Sequence, residues 1–346
     1  MKTKLLIAFS LFFFGFAQVE AQEKNKALEY LEFLSKENEK LNTQVWQYTK
    51  AVAHDKRPRK IEKTRKNLVT QIQLSKRKIS QMPSVDGDDT YKNEFVNYLT
   101  IYENSINNDY AKIVDLKEIA EQSYDAMEAY ILLQEKVDEK MEHASTEIDS
   151  AQATFAKKYN INLVAGQESD LSKKMKISNA VFQHKNAAYL PFFKANFQEN
   201  LLIGSLGSHN VGDIQQKASA LQAFAQEGLD SLQTIQAYNN DSSIIDVTKK
   251  VLLFYKEEAE ISVPEMIDFM LLNDKITKMQ QALESKKAKD RTKEEIDEYN
   301  NLVKQVNTEV AKFNKTNERL NQERTVLLTE WETVSNNFLS KHIPKN

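Results

Sequence analysis

The chain predicts an all-α protein made of two tandem antiparallel helical-bundle units, about four long helices each, with an extended helical hairpin in the second. Three observations carry this. Glycine and proline are scarce, seven and five in 346 residues, while Lys, Glu, Gln, Leu and Ala are plentiful, a composition that favours long helices over strands. Near the C-terminus one seam steps by three and four residues through Tyr299, Val303, Val306, Val310, Phe313, Asn317, Leu320, Arg324, Leu327, Trp331, Val334 and Phe338. Such a stripe needs partner helices to cover it. Third, the chain repeats itself. A shift of 153 places Leu68, Leu99, Tyr102 and Asp115 on Leu221, Leu252, Tyr255 and Asp268, and a later shift of 183 places Tyr130, Ile148 and Phe155 on Phe313, Trp331 and Phe338. Self-similarity at a fixed offset is the signature of a repeated supersecondary unit.

The N-terminal segment 1–21 reads as a secretory signal peptide. Lys2 and Lys4 precede an apolar run from Leu5 to Phe16, and Val19-Glu20-Ala21 offers small residues for cleavage. The run is too short to span about 30 Å of hydrocarbon. No later stretch reads as a transmembrane helix; the best candidate, Ala187 to Gly207, contains Lys194, Glu199 and Pro191. Beyond the cleavage point, unit 1 is expected over 22–165 and unit 2 over 166–346.

In unit 1, helices are expected over 24–54, 59–82, 88–118 and 121–159. Pro58 suits a first helical turn, where its missing N–H costs nothing, and Pro83 with Asp86-Gly87-Asp88 marks a turn. The segment from Asn160 to Asp170, with Gly166, joins the units. In unit 2, helices are expected over 172–203, 213–238, 243–286 and 292–340, with Gly204, Gly207 and Gly212 interrupting the first hairpin. The third helix of each unit should kink at one place: Ser262-Val263-Pro264-Glu265 has capping-box spacing, and Asn107-Asn108-Asp109 offers cap-type side chains at the matching site. The change of shift inserts about 30 residues, two arms of roughly 22 Å at 1.5 Å per residue. Its tip falls near Ser285 to Arg291, with Thr292-Lys293-Glu294-Glu295 capping the returning arm.

Residues 86–161 resemble the leptospiral-type surface-protein family, exported helical proteins found also in Bacteroidetes. The resemblance rests on Asp86-Gly87-Asp88 ahead of Phe95, Tyr98 and Tyr102, then Tyr110 to Leu116, and a closing run from Ala151 to Asn160. It implies export and a helical bundle, and supplies no activity or catalytic residues. The Phe-rich signal segment followed by Ala-Gln is also similar to those of Bacteroidetes, which places the protein in the periplasm or at the surface of a Gram-negative bacterium, or secreted from it.

Several functions are argued against. With no cysteine, there are no disulfides, thiolate metal sites or lipid-anchor site. The formal charge moves only from −3 to −4 once Lys2, Lys4 and Glu20 are removed, too mild for a general nucleic-acid binder. Di-iron bundles need Glu-x-x-His pairs, but none of His54, His143, His184, His209 and His342 has a carboxylate three residues before it. The run Gly204-Ser205-Leu206-Gly207-Ser208-His209-Asn210-Val211-Gly212 lacks the ending of a phosphate-binding loop. No acid–base pair stands out. No catalytic residue, cofactor or metal is therefore expected.

One charge cluster stands apart. Lys56, Arg57, Arg59, Lys60, Lys63, Arg65 and Lys66, followed by Lys76, Arg77 and Lys78, face only Glu62, so 56–82 carries +9, against −2 over 209–235. A basic face attracts anionic glycans, lipid headgroups or an acidic partner; the plainer alternative is a solvated face neutralised by Asp86, Asp88, Asp89 and Glu94. Asn317 and Arg324 break the last seam, either to fix register or because the stripe is exposed there. The leading expectation is a non-catalytic envelope or surface protein that binds or scaffolds. The alternative is a membrane-active, pore-forming type with 187–207 as its apolar tongue.

Overall fold

The computed structural model describes residues 26–54, 57–109, 123–163, 170–208 and 210–345. The segment 1–21, Lys56, the stretch 110–116, most of the expected joint between units and His209 lie outside the described residues. All regular structure among the described residues is helical, so the fold is all-α. The helices are α1 (Lys26–His54), α2 (Pro58–Ser80), α3 (Thr90–Asn104), α4 (Tyr124–Lys158), α5 (Asp170–Leu206), α6 (Val211–Leu232), α7 (Ser243–Glu257), α8 (Val263–Glu284) and α9 (Lys293–His342). By contacts the chain forms two compact units: one runs to His184 and resumes at Asn337, and the other is Lys185–Asn336.

In the first unit α2 packs on α1 and α3, and α3 on α4. Pro58 stands at the start of α2, as its fixed φ favours. Ser123 caps α4 by accepting from Ala126 N–H at 3.1 Å, and Lys157 and Lys158 close its last turn against the helix dipole. An aromatic chain forms the core: Tyr98 lies 4.6 Å from Tyr102 and 5.8 Å from Phe95, and Tyr91 lies 6.2 Å from Phe95 and 5.4 Å from Phe155. Tyr30 of α1 stacks on Phe155 at 5.3 Å. Phe95, Tyr98, Tyr102 and Phe155, which carry the resemblance or the repeat, are all buried.

The second unit packs α6 against α7 and α8. Trp331 of α9 stacks face to face on Phe192 of α5 at 4.2 Å and donates its indole N–H to Thr248 of α7 at 2.9 Å. The helical hairpin forms where the 30 extra residues place it: α8 ends at Glu284, a 3-10 turn covers Ala288–Asp290, and α9 begins at Lys293. Thr292 and Glu295 make the expected reciprocal cap, with distances of 3.1 and 3.2 Å. The arms are held by Phe269 on Phe313 at 4.7 Å and by the pairs Lys275–Glu298, Lys286–Glu295 and Lys312–Glu265. Here the seam is only partly core. Leu320 is buried, Tyr299, Val303, Val306 and Phe313 half-buried, and Val310 exposed, while Leu302 beside the seam is buried, because an arm with a single partner helix can cover only one side of its stripe.

The two units carry the same devices at one offset. The tight turn Val85 to Asp88 has Asp86 and Gly87 at φ 51 and 78, and Tyr238 to Asp241 has Asn239 and Asn240 at φ 48 and 62. The Asp88 carboxylate accepts from Thr90 N–H, and that of Asp241 from Ser243 N–H, both at 2.9 Å. α3 and α7 begin 153 residues apart, and each runs directly into a π-helical turn, Ser105–Asp109 and Glu258–Ser262.

Two expectations are corrected, the first by the second π turn. Ser262 does not cap a restarting helix: its backbone is helical, and its side chain makes no cap bond. Pro264 cannot donate to the preceding turn, and widening the helix to i→i+5 absorbs the lost bond without ending it. The helix expected over 213–238 stops at Leu232; residues 233–237 are turn and irregular chain leading into the tight turn at Asn239 and Asn240.

Candidate functional site

At about 100° per residue, Arg59, Lys63, Lys66 and Arg77 fall within about 60° of one another on α2. All four are exposed, on a stripe about 27 Å long at 1.5 Å per residue. Among the described residues Arg59, Lys63 and Arg77 have no ion-pair partner, and Lys66 approaches Glu62 only to 3.8 Å. Lys60 is exposed beside this stripe, and Arg57 precedes the helix. Its carbonyl accepts the first bonds, from Lys60 and Ile61 N–H.

Other members of the basic run serve the fold. Arg65 grips Glu62 with two bonds of 2.9 Å and donates to Ile106 O and the Asn107 side chain at the π turn. The Arg65 bond holds the Glu62 carboxyl below its ordinary range. Lys76 pairs with Glu103, and Lys78 reaches Glu37 at 3.3 Å. Two of the carboxylates expected to neutralise the run are committed elsewhere. Asp88 pairs with Lys158 at 2.5 Å, which pulls it down to about 2, and Asp89 pairs with Lys92 at 2.6 Å. Among the described residues α2 is neutralised by Glu37, Glu62 and Glu103, none of which pairs with Arg59, Lys63 or Arg77.

A second charged site lies inside the second unit. Glu199 on α5 and Glu258 at the start of the π turn are 0 % and 2 % exposed. Arg324 of α9 reaches both: its Nε donates to Glu199 Oε1, and its Nη2 to Glu258 Oε1 at 2.5 Å. The remaining guanidinium nitrogen donates to Asn321 at 2.7 Å, and the group lies 5.8 Å over the Phe254 ring. Arg319 donates to Ser262 Oγ at 3.0 Å and pairs with Glu257 and Glu323. Burial pushes Glu199 up to about 7 despite Arg324, and burial also raises Glu258. Of the two seam breaks, Arg324 is thus a part-buried clamp on two buried carboxylates. Asn317 is exposed and accepts from Asn321.

Among the described residues no group of three or more His, Asp or Glu could hold a metal ion, and no helix is long and apolar enough to cross a membrane. No protein-family model, curated protein or solved structure matches the chain.

Proposed function

We propose that the protein is an exported, non-catalytic helical scaffold of the bacterial envelope, and that its first unit binds anionic envelope material through the outer face of α2. One observation carries this reading: among the described residues Arg59, Lys63 and Arg77 share an exposed face without a carboxylate partner, with Lys66 between them. A helix that merely needed solvation would have its cations interleaved with acids, as α9 has. The ligand class is a glycan or lipid headgroup carrying carboxylate or phosphate, or an acidic protein partner. The signal-like N-terminus and the leptospiral-type resemblance support export.

The repeated turn, π turn and Asp-to-backbone bond, all 153 residues apart, support descent of the two units from one duplicated ancestor. Across that duplication the basic stripe belongs to the first unit alone; α6 carries only Lys217, which pairs with Asp213 at 2.7 Å. The pore-forming alternative draws no support from the packing. In the segment 187–207, Ala188, Tyr189, Phe192, Phe193, Ala195, Glu199 and Leu202 are buried.

The test is a binding assay of signal-cleaved protein on anionic vesicles and anionic envelope glycans at rising salt, beside Arg59→Glu/Lys63→Glu/Lys66→Glu/Arg77→Glu. Binding that weakens with salt and vanishes in the variant supports the reading. Unchanged binding by a folded variant refutes it.

A further inference from the structure

The Glu199–Arg324–Glu258 cluster has one positive charge for two carboxylates; both carboxylates are buried in the second unit, and Arg324 reaches them from a part-buried position. Glu199 Oε2 and Glu258 Oε2 are buried and make no hydrogen bond. A buried carboxylate oxygen without a donor costs several kcal/mol unless the group takes up a proton. Other charges nearby are committed elsewhere. Arg319 is shared by Glu257, Glu323 and Ser262. On α6, Lys217 pairs with Asp213, and Gln222 donates to Glu260; on α8, Glu265 pairs with Lys312. From α5, Asn196 donates to Tyr255 Oη at 2.6 Å. Among the described residues no second cation pairs directly with either carboxylate, and Arg319 acts on Glu258 only through its charge at longer range, so a proton is the natural counter-charge.

The cluster also sits where the fold is least regular. Glu258 opens the π turn, and π turns interrupt the helical ladder often at functional positions. Through Arg324 the cluster ties three elements together: α5, the α7 π turn and α9. The residues at the matching places in the first unit carry no charge. The shift of 153 puts Ser105 opposite Glu258. The stacked pairs Tyr30 on Phe155 and His184 on Phe338 set shifts of 154 and 183, which put Val45 and Met141 opposite Glu199 and Arg324. All three counterparts are buried. The common fold therefore does not require the charges.

We propose that this cluster is a proton-operated latch: with one proton on the carboxylate pair, Arg324 clamps α9 to α5 and α7, and loss of that proton loosens α9. The sign follows from linkage. Burial pushes Glu199 from an ordinary 4.5 up to about 7, so the folded state holds the extra proton between those values. The stabilisation is complete below about 4.5 and is lost as pH rises through 7.

The experiment is hydrogen exchange of the signal-cleaved protein at pH 6 and pH 8, corrected for intrinsic rates, read on peptides covering 320–335. With one group titrating at 7 when closed and 4.5 when open, opening should rise about tenfold between the two pH values. Peptides from α2 and α3 serve as the internal reference. Glu199→Gln, which cannot ionise, should reduce the rise to less than about twofold, and Glu258→Gln replaces it if that variant does not fold. Equal protection of 320–335 at both pH values in the unmodified protein overturns the proposal. So does a tenfold rise that persists in the folded glutamine variant.

Discussion

Removing Arg324 should destabilise the second unit by an amount set by pH. Arg324→Met deletes the only cation that, among the described residues, pairs with Glu258 and Glu199, while keeping most of the apolar stem. The cost has a ceiling, because a carboxylate stripped of its partner can always bind a proton instead. Relative to an unfolded value of 4.5, holding that proton costs about 1.4 kcal/mol for each pH unit above it. At pH 7.5 the ceiling is about 4 kcal/mol for Glu258, and at pH 5.5 it is about 1.4 kcal/mol. Glu199 adds little, since burial already keeps it protonated close to neutrality. The upper figure agrees with the 3–5 kcal/mol typical of breaking a buried ion pair from one side, roughly the scale expected here.

Urea unfolding at the two pH values measures the difference. The chain has two tryptophans, Trp46 in the first unit and Trp331 in the second, so a Trp46→Phe background lets fluorescence report the second unit alone. The variant should lose about 2–3 kcal/mol more at pH 7.5 than at pH 5.5. A companion carrying Glu199→Val, Glu258→Ser and Arg324→Met, the residues found opposite in the first unit, should lie within about 1 kcal/mol of the parent or above it. Equal losses for Arg324→Met at both pH values would refute the reasoning. A triple variant as unstable as the single one would refute it as well.

Four smaller expectations follow from local geometry. Brief trypsin treatment should cut first at Lys287, Lys289 or Arg291, in the short turn between the hairpin arms, and early fragments ending within 300–338 would contradict the helical assignment of α9. Thr292→Ala, which removes half of the reciprocal cap, should cost about 1 kcal/mol and speed that cleavage, measured by the same digestion. Gly87→Ala should cost about 1 kcal/mol in thermal unfolding although nothing lies within 4 Å of its added methyl, because φ is +78 there. Asn240→Gly in the matching turn should fall within about 0.5 kcal/mol of the parent, since glycine relieves the same conformation.

Local features of this fold were legible because each is written in a few adjacent residues. Pro58 announces the start of α2, Asp86-Gly87 its turn, and Thr292 to Glu295 the restart of the hairpin. Where a local signal competed with the backbone it misled. Ser262 to Glu265 spells a capping box, yet Pro264 is accommodated by a π turn, and Ser262 instead accepts from Arg319 far along the chain. The neutralising partners of α2 were hidden for the same reason, since Glu37 and Glu103 are distant in sequence from the lysines they meet.

The buried cluster was half visible. Glu199 is conspicuous as a charge inside the apolar run 187–207, and Arg324 as a charge in an apolar seam, and each alone reads as a sign of exposure. Burial reverses that inference. A charge on a helical face packed into a core must be answered by another element, so two opposite charges breaking two separate apolar patterns imply one another as partners. Glu258 is the member no such pattern reveals. It follows α7 at the first position of the π turn, where the matching residue is Ser105, and only the three-dimensional approach of α9 turns an ordinary surface-type glutamate into a second claimant for Arg324. The excess carboxylate, and with it the pH sensitivity proposed for α9, is therefore a property of the fold that the pairing of Glu199 with Arg324 alone would not produce.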